Sequence, residues 1–77
     1  MTRYLVVTQS TPGTQSLYLA ARDTFGFEYG TPQWWLTPLF CQGFSSLATA
    51  RAMADRMNDR FHAGDNAVPA PVTVCCG

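Results

Sequence analysis

The sequence predicts an α+β fold in which a small antiparallel sheet of three to four strands, in the order β-β-β-α-β, carries one helix on one face. Three observations lead there. The stretch from Ser45 to Phe61 contains no helix breaker and repeats its apolar residues every three or four positions. The segments before and after it are short, β-prone and separated by Pro- and Gly-containing turns. Finally, 77 residues with 47% apolar and 13% charged side chains suit one foldable domain spanning residues 1–77.

The first strand is expected over Arg3 to Gln9 (RYLVVTQ), where β-branched and aromatic residues precede the turn cluster Ser10, Thr11, Pro12, Gly13 and Thr14. Ser16 to Asp23 (SLYLAARD) alternates Leu17, Leu19 and Ala21 with Ser16, Tyr18 and Ala20, and returns antiparallel beside it. Phe25, Phe27 and Tyr29 continue with period two, so the second strand is read as extending into them through a bulge near Gly26. After the turn Gly30, Thr31 and Pro32, a third strand runs through Gln33 to Thr37 (QWWLT) and stops at Pro38. Leu39 to Gly43 sustains neither period and reads as a loop. The helix starts at an N-cap, Ser45 or Ser46, and Gly64 is placed to end it in the left-handed conformation. Leu47, Ala50, Ala54, Met57 and Phe61 share its core-facing stripe. Pro69 and Pro71 make the last strand, Val72 to Cys76, an edge strand, and the sheet face away from the helix is expected to be open.

Five Arg balance five acidic residues, so the long-range field that draws a protein to a polyanion is missing and generic nucleic-acid binding is disfavoured. Lys and Ile are absent while Ala and Arg are frequent, the signature of a GC-rich bacterial or phage genome. Leu5, Val6 and Val7 are too few for a signal peptide, and no window approaches the ~18 apolar residues that would span a membrane. A cytoplasmic protein with no membrane partner is the expectation, and the odd set Cys41, Cys75 and Cys76 fits reduced thiols.

Seven of the ten aromatic residues lie between positions 25 and 44. A domain this small hides only about 60% of the surface its unfolded chain exposes, so part of that excess is expected to face outward and meet a partner. Consecutive strand residues face opposite sides, so one of Trp34 and Trp35 packs beneath the helix and the other joins the far face near Phe25, Phe27, Tyr29 or Tyr18. Trp34, Trp35, Phe27 and Tyr29 are therefore candidate partner-binding residues. Arg56 and Arg60, one turn apart on a helix flank, join them as cations able to grip a carboxylate of a protein partner.

Chemistry is weakly signalled. His62 stands alone, in a stripe with Arg51, Asp55 and Asn58 that reads as a solvated helix flank with an Arg51–Asp55 pair. Cys75 and Cys76 are adjacent, whereas zinc ligand pairs are typically separated by about two to four residues, so no metal site is expected. No phosphate loop, paired acidic motif or catalytic triad order occurs, and neither enzymatic activity nor a cofactor is expected.

With FSSLATARAMADRMN as the lone helix against a thin sheet, the chain resembles in general architecture, over its whole length, small phage-encoded host-takeover proteins, of which the anti-CRISPR inhibitors of type I systems are the best known group. The resemblance implies a protein that binds a CRISPR effector subunit stoichiometrically in the host cell and blocks DNA access or nuclease recruitment. Many of those inhibitors are strongly acidic DNA mimics. This chain is neutral, so contact through aromatics and a few Arg and Asp residues is the implied mode. The alternatives are a homodimeric accessory module that buries its own sheet face, a single-stranded nucleic-acid platform in which Arg3, Arg22, Arg51, Arg56 and Arg60 gather, and a small enzyme using Cys41, Cys75, Cys76 or His62.

Overall fold

The sheet in the computed structural model is built outward from β1 (Tyr4–Thr8), which has a neighbour on each side. The structure describes residues 3–9, 12–20, 32–37 and 43–76. On one side β1 pairs antiparallel with β2 (Tyr18–Leu19), which in turn pairs antiparallel with β3 (Trp34–Trp35). On the other side it pairs antiparallel with β4 (Val72–Cys76) from Tyr4 opposite Cys76 to Thr8 opposite Val72. The spatial order is β3-β2-β1-β4, and the helix α1 (Leu47–His62) lies between β3 and β4 in sequence, as expected. No helix among the described residues is long and apolar enough to cross a membrane.

The β1–β2 ladder ends at Thr8 for a local reason. Thr8 N–H donates to the Leu17 carbonyl at 2.8 Å, but Leu17 N–H returns to the Thr8 hydroxyl Oγ1 at 2.8 Å, so a side chain closes the pair where the backbone ladder would continue. The same bond satisfies the buried Thr8 hydroxyl. The extension of the second strand through Phe25, Phe27 and Tyr29 lies outside the described residues. At the other end of β1, Phe44 takes over the pairing role: Tyr4 and Phe44 exchange backbone hydrogen bonds of 2.9 and 2.8 Å. Phe44 lies directly after the segment read as a loop, Leu39 to Gly43, of which Gly43 alone is among the described residues.

Ser46, not Ser45, caps α1, with its hydroxyl accepting from Thr49 N–H at 3.4 Å. The helix ends as its sequence indicates. Gly64 adopts φ 86°, its N–H donates to the Phe61 carbonyl, and Asp65 N–H donates to the Arg60 carbonyl, the bond pair of a Schellman motif. Ala50, Ala54 and Met57 of the expected stripe are buried with Val6, Leu19, Phe44, Val68 and Val72. Phe61 and Met53 pack at the margin. Leu47 departs from expectation: it is the first helical residue, lines a cleft with residues of β4 and is 37% exposed.

The sheet face away from α1 is not open at its centre. Leu5 and Val7 point there, opposite in parity to Val6, and are only 3% and 7% exposed. On that face Tyr18 and Thr73 flank Val7, and Cys75 flanks Leu5.

Two glycines with positive φ face different surroundings. At Gly43 (φ 74°) an added Cβ would meet the Leu5 side chain at 3.0 Å and the Tyr4 carbonyl at 3.1 Å, while at Gly64 (φ 86°) it meets nothing within 4 Å. Gly64→Ala is expected to cost roughly 1–2 kcal/mol from backbone conformation alone. Gly43→Ala should cost clearly more, because the paired carbonyl cannot withdraw; chemical denaturation of the two variants side by side checks the order.

Candidate functional site

The two tryptophans of β3 part as strand alternation requires. Trp34 stands opposite Leu19 on the α1 side and packs at the core margin, half-buried. Its indole N–H donates to the Ala67 carbonyl at 2.7 Å. Trp35 stands opposite Tyr18 on the far side and is 39% exposed, and the next residue, Leu36, is 67% exposed. Two consecutive large apolar side chains are therefore offered to solvent at the β3 edge of the sheet.

The Trp34 bond is one link in a relay. Ala67 N–H donates to Asp65 Oδ1 at 2.9 Å, and Arg60 Nε donates to Asp65 Oδ2 at 2.7 Å. The Asp65 carboxylate thus receives both donors and holds the turn after α1 against the helix on one side and, through Ala67, the Trp34 indole on the other. Its pKa is held below the ordinary carboxylate value, first by the Ala67 N–H bond and then by Arg60. Two of the residues singled out as partner-binding, Trp34 and Arg60, are the two ends of this internal network. The carboxylate that Arg60 grips belongs to its own chain. Arg56 is exposed on the same flank and engaged in a further interaction within the chain, while Phe27 and Tyr29 lie outside the described residues.

Of the polar stripe of α1, Arg51, Asp55 and His62 are exposed, as a solvated flank requires, and Asn58 departs from it. Asn58 turns onto the sheet edge, where its Oδ1 accepts from Val72 N–H at 2.8 Å and its Nδ2 donates to the Val72 carbonyl at 3.1 Å. One amide side chain therefore satisfies both backbone groups of an edge-strand residue, as a neighbouring strand would. Among the described residues the ion pair is Arg60–Asp65 rather than Arg51–Asp55. Arg51 and Asp55 instead line, with Leu47, Asn58, Tyr4 and β4, a cleft of about 550 Å³ between the helix and the outer edge of the sheet.

Cys75 lies across from Leu5 and Cys76 across from Tyr4, so the adjacent thiols point to opposite faces. Burial, followed by the neighbouring Cys76, pushes the Cys75 thiol up, away from the thiolate form that nucleophilic chemistry uses. His62 is exposed, with its ring edge-on to Phe61 at 5.5 Å. Among the described residues no three His, Cys, Asp or Glu side chains gather as metal ligands would; Cys41 is not among these residues.

No protein-family model, curated protein or solved structure matches the chain. The geometry of its own surfaces is the ground for any functional reading.

Two substitutions test the networks that frame those surfaces. Because the folded pKa of Asp65 is lowered, its stabilising contribution is complete above the ordinary value of 3.8 and is lost as pH falls through the lower folded value. Asp65→Asn should therefore destabilise the protein at pH 7, with the difference from wild type shrinking as the pH drops below 3.8; a difference that does not change with pH would show that the carboxylate charge is irrelevant. Asn58→Ala should cost about 1–3 kcal/mol and speed hydrogen exchange at Val72 N–H, while the β1-paired amides of Thr73 and Cys75 stay protected.

Proposed function

We propose that this chain is a small protein-binding inhibitor, encoded by a phage or mobile element, that works in the host cytoplasm by occupying a surface of a defence complex such as a type I CRISPR effector. The observation that carries the reading is the exposure of Trp35, 39% accessible, on a strand whose other tryptophan is fastened inward, with Leu36, 67% accessible, directly after the strand. A large indole displayed from a rigid sheet loses little rotamer freedom on binding, which is why such residues concentrate binding energy. A net charge of zero favours an apolar anchor with a polar rim over imitation of DNA. Tyr18, opposite Trp35, extends the patch across one strand.

In this reading Trp35 is the anchor, and Trp34, Asp65 and Arg60 are the frame that holds β3 steady behind it. Displacement of a DNA or nuclease contact by steric occupancy calls for no reaction centre. The elevated Cys75 thiol and the dispersed His62 are compatible with that.

The test is a titration of purified type I effector complex with wild-type protein and with Trp35→Ala, each confirmed folded by circular dichroism. Loss of a hot-spot tryptophan should weaken binding by ~2 kcal/mol or more, roughly 30-fold. Trp34→Phe is the control: it should lose about 1 kcal/mol of folding stability with the indole N–H bond and leave affinity nearly unchanged. Equal binding by wild type and Trp35→Ala would overturn the aromatic-anchor reading, and absence of binding by wild type would overturn the choice of target.

A further inference from the structure

The outer edge of β4 is the other unfinished surface, and its hydrogen-bonding pattern is specific. Gln9 N–H donates to the Pro71 carbonyl, which fixes the phase of the β1–β4 ladder. In that phase Thr73 and Cys75 direct their backbone groups at β1. Val72, Val74 and Cys76 direct theirs away from it. Tyr4, opposite Cys76, accordingly exchanges both backbone groups with Phe44, and Thr8, opposite Val72, donates its N–H to the Leu17 carbonyl, at the other side of β1. Asn58 occupies the outward groups of Val72 alone. Val74 and Cys76 therefore present an unpaired edge, and among the described residues no strand lies beyond it. The five residues of β4 contain no Pro, charge or glycine to discourage pairing.

We infer that this edge binds a second copy of the same chain, β4 to β4 antiparallel about a two-fold axis, with Val74 paired to the partner's Cys76 and Cys76 to the partner's Val74. Asn58 selects this register. A shift that centres the axis on Val74 would pair Cys76 with the partner's Val72, whose groups Asn58 already fills, whereas centring it on Cys75 uses only the two open positions of each copy. Four backbone hydrogen bonds then join the copies, and Asn58 marks the end of the pairing on each side.

The helix flank above the edge fits the same occupant. α1 packs over β1 and β4 alike, so with strands ~4.8 Å apart the two-fold sets the two helices roughly 10 Å from each other, a normal packing distance. The facing flanks carry one cation and one anion on successive turns, Arg51 and Asp55, together with the exposed Leu47. Antiparallel copies of such a flank are complementary in charge, cation toward anion, and fill the cleft between helix and edge. β3 and Trp35 lie at the opposite edge of the sheet, so this association leaves the Trp35 patch uncovered and stands independently of the proposed inhibitory function.

Sedimentation equilibrium should give twice the 8.5 kDa chain mass, with a concentration-dependent return to the monomer. Val74→Pro removes an outward N–H that β1 does not use, so the fold tolerates it while the dissociation constant rises roughly tenfold or more. Arg51→Asp should weaken the dimer, and Arg51→Asp with Asp55→Arg should restore it, a readout that remains if the proline variant fails to fold. In a Cys41→Ser, Cys76→Ser background, diamide should link the two Cys75 thiols, which the register sets side by side; each disulfide forms as diamide takes up two electrons and the two protons. A wild-type chain that stays monomeric at its highest soluble concentration overturns the inference, as does a dimer indifferent to both Val74→Pro and Arg51→Asp. No cross-link in the Cys41→Ser, Cys76→Ser background, together with a cross-link in the Cys41→Ser, Cys75→Ser background, overturns the register.

Discussion

Everything in this domain depends on β1 having a partner on each side. Its five residues are flanked by β4 along their whole length, and on the other side by β2 at one end and Phe44 at the other. Thr8 and Tyr4 show this at the two ends: the Thr8 N–H donates to the Leu17 carbonyl while its hydroxyl accepts the Leu17 N–H, and Tyr4 exchanges its backbone groups with Phe44. The longest of these pairings joins the two ends of the chain, Tyr4 to Cys76, across the helix and both other strands. Such a contact closes late and confers little until the intervening elements are in place. That is why α1, whose caps and spacing are local, is the natural scaffold on which β4 is brought back to β1.

Bringing β4 back is achieved by polar side chains that look idle in the linear sequence. Asn58 fastens the start of β4 to the helix, and Asp65 gathers Arg60 and Ala67 so that the turn leaving α1 also holds Trp34. Both devices lie in the C-terminal half of α1 or just after it, one on each flank, and together they fix the helix between β3 and β4. Among the described residues no buried side-chain nitrogen or oxygen lacks a partner, so these bonds complete the polar accounting rather than leave a strained remainder. The exposed face of Trp35 and the outward backbone groups of Val74 and Cys76 lie outside the Asn58 and Asp65 networks.

What could be read in advance follows the range of the interactions. The class and order of elements, the helix with its Ser cap and Gly stop, and β4 as an edge strand next to Pro71 all rest on signals within a few residues, and each is present in the structure. Alternation also required that Trp34 and Trp35 divide between two faces. It could not say which goes where, because that depends on the register of β3 against β2, set by pairing Trp34 with Leu19. The roles of Asn58, Arg60 and Trp34 were hidden for a related reason. Asn58 meets Val72 fourteen residues on and Trp34 meets Ala67 thirty-three residues on, and no local pattern marks such partners. Leu47 shows the reverse limit: periodicity placed it correctly on the stripe, but the stripe runs past the end of what the sheet covers.

The sheet order gives the two candidate surfaces a definite relation. Trp35 sits at the β3 edge and the open amides at the β4 edge, separated by the full width of the four strands. A two-fold at β4 therefore extends the sheet and leaves a Trp35 patch at each distant end, rather than consuming the surface that the aromatic excess created. For a partner with repeated subunits, two anchors on one rigid body convert the second contact into an intramolecular one and raise avidity without any new interface. For a partner with a single site, the second anchor adds nothing. The stoichiometry of a complex formed by such a dimer would therefore report whether the partner offers one site or two.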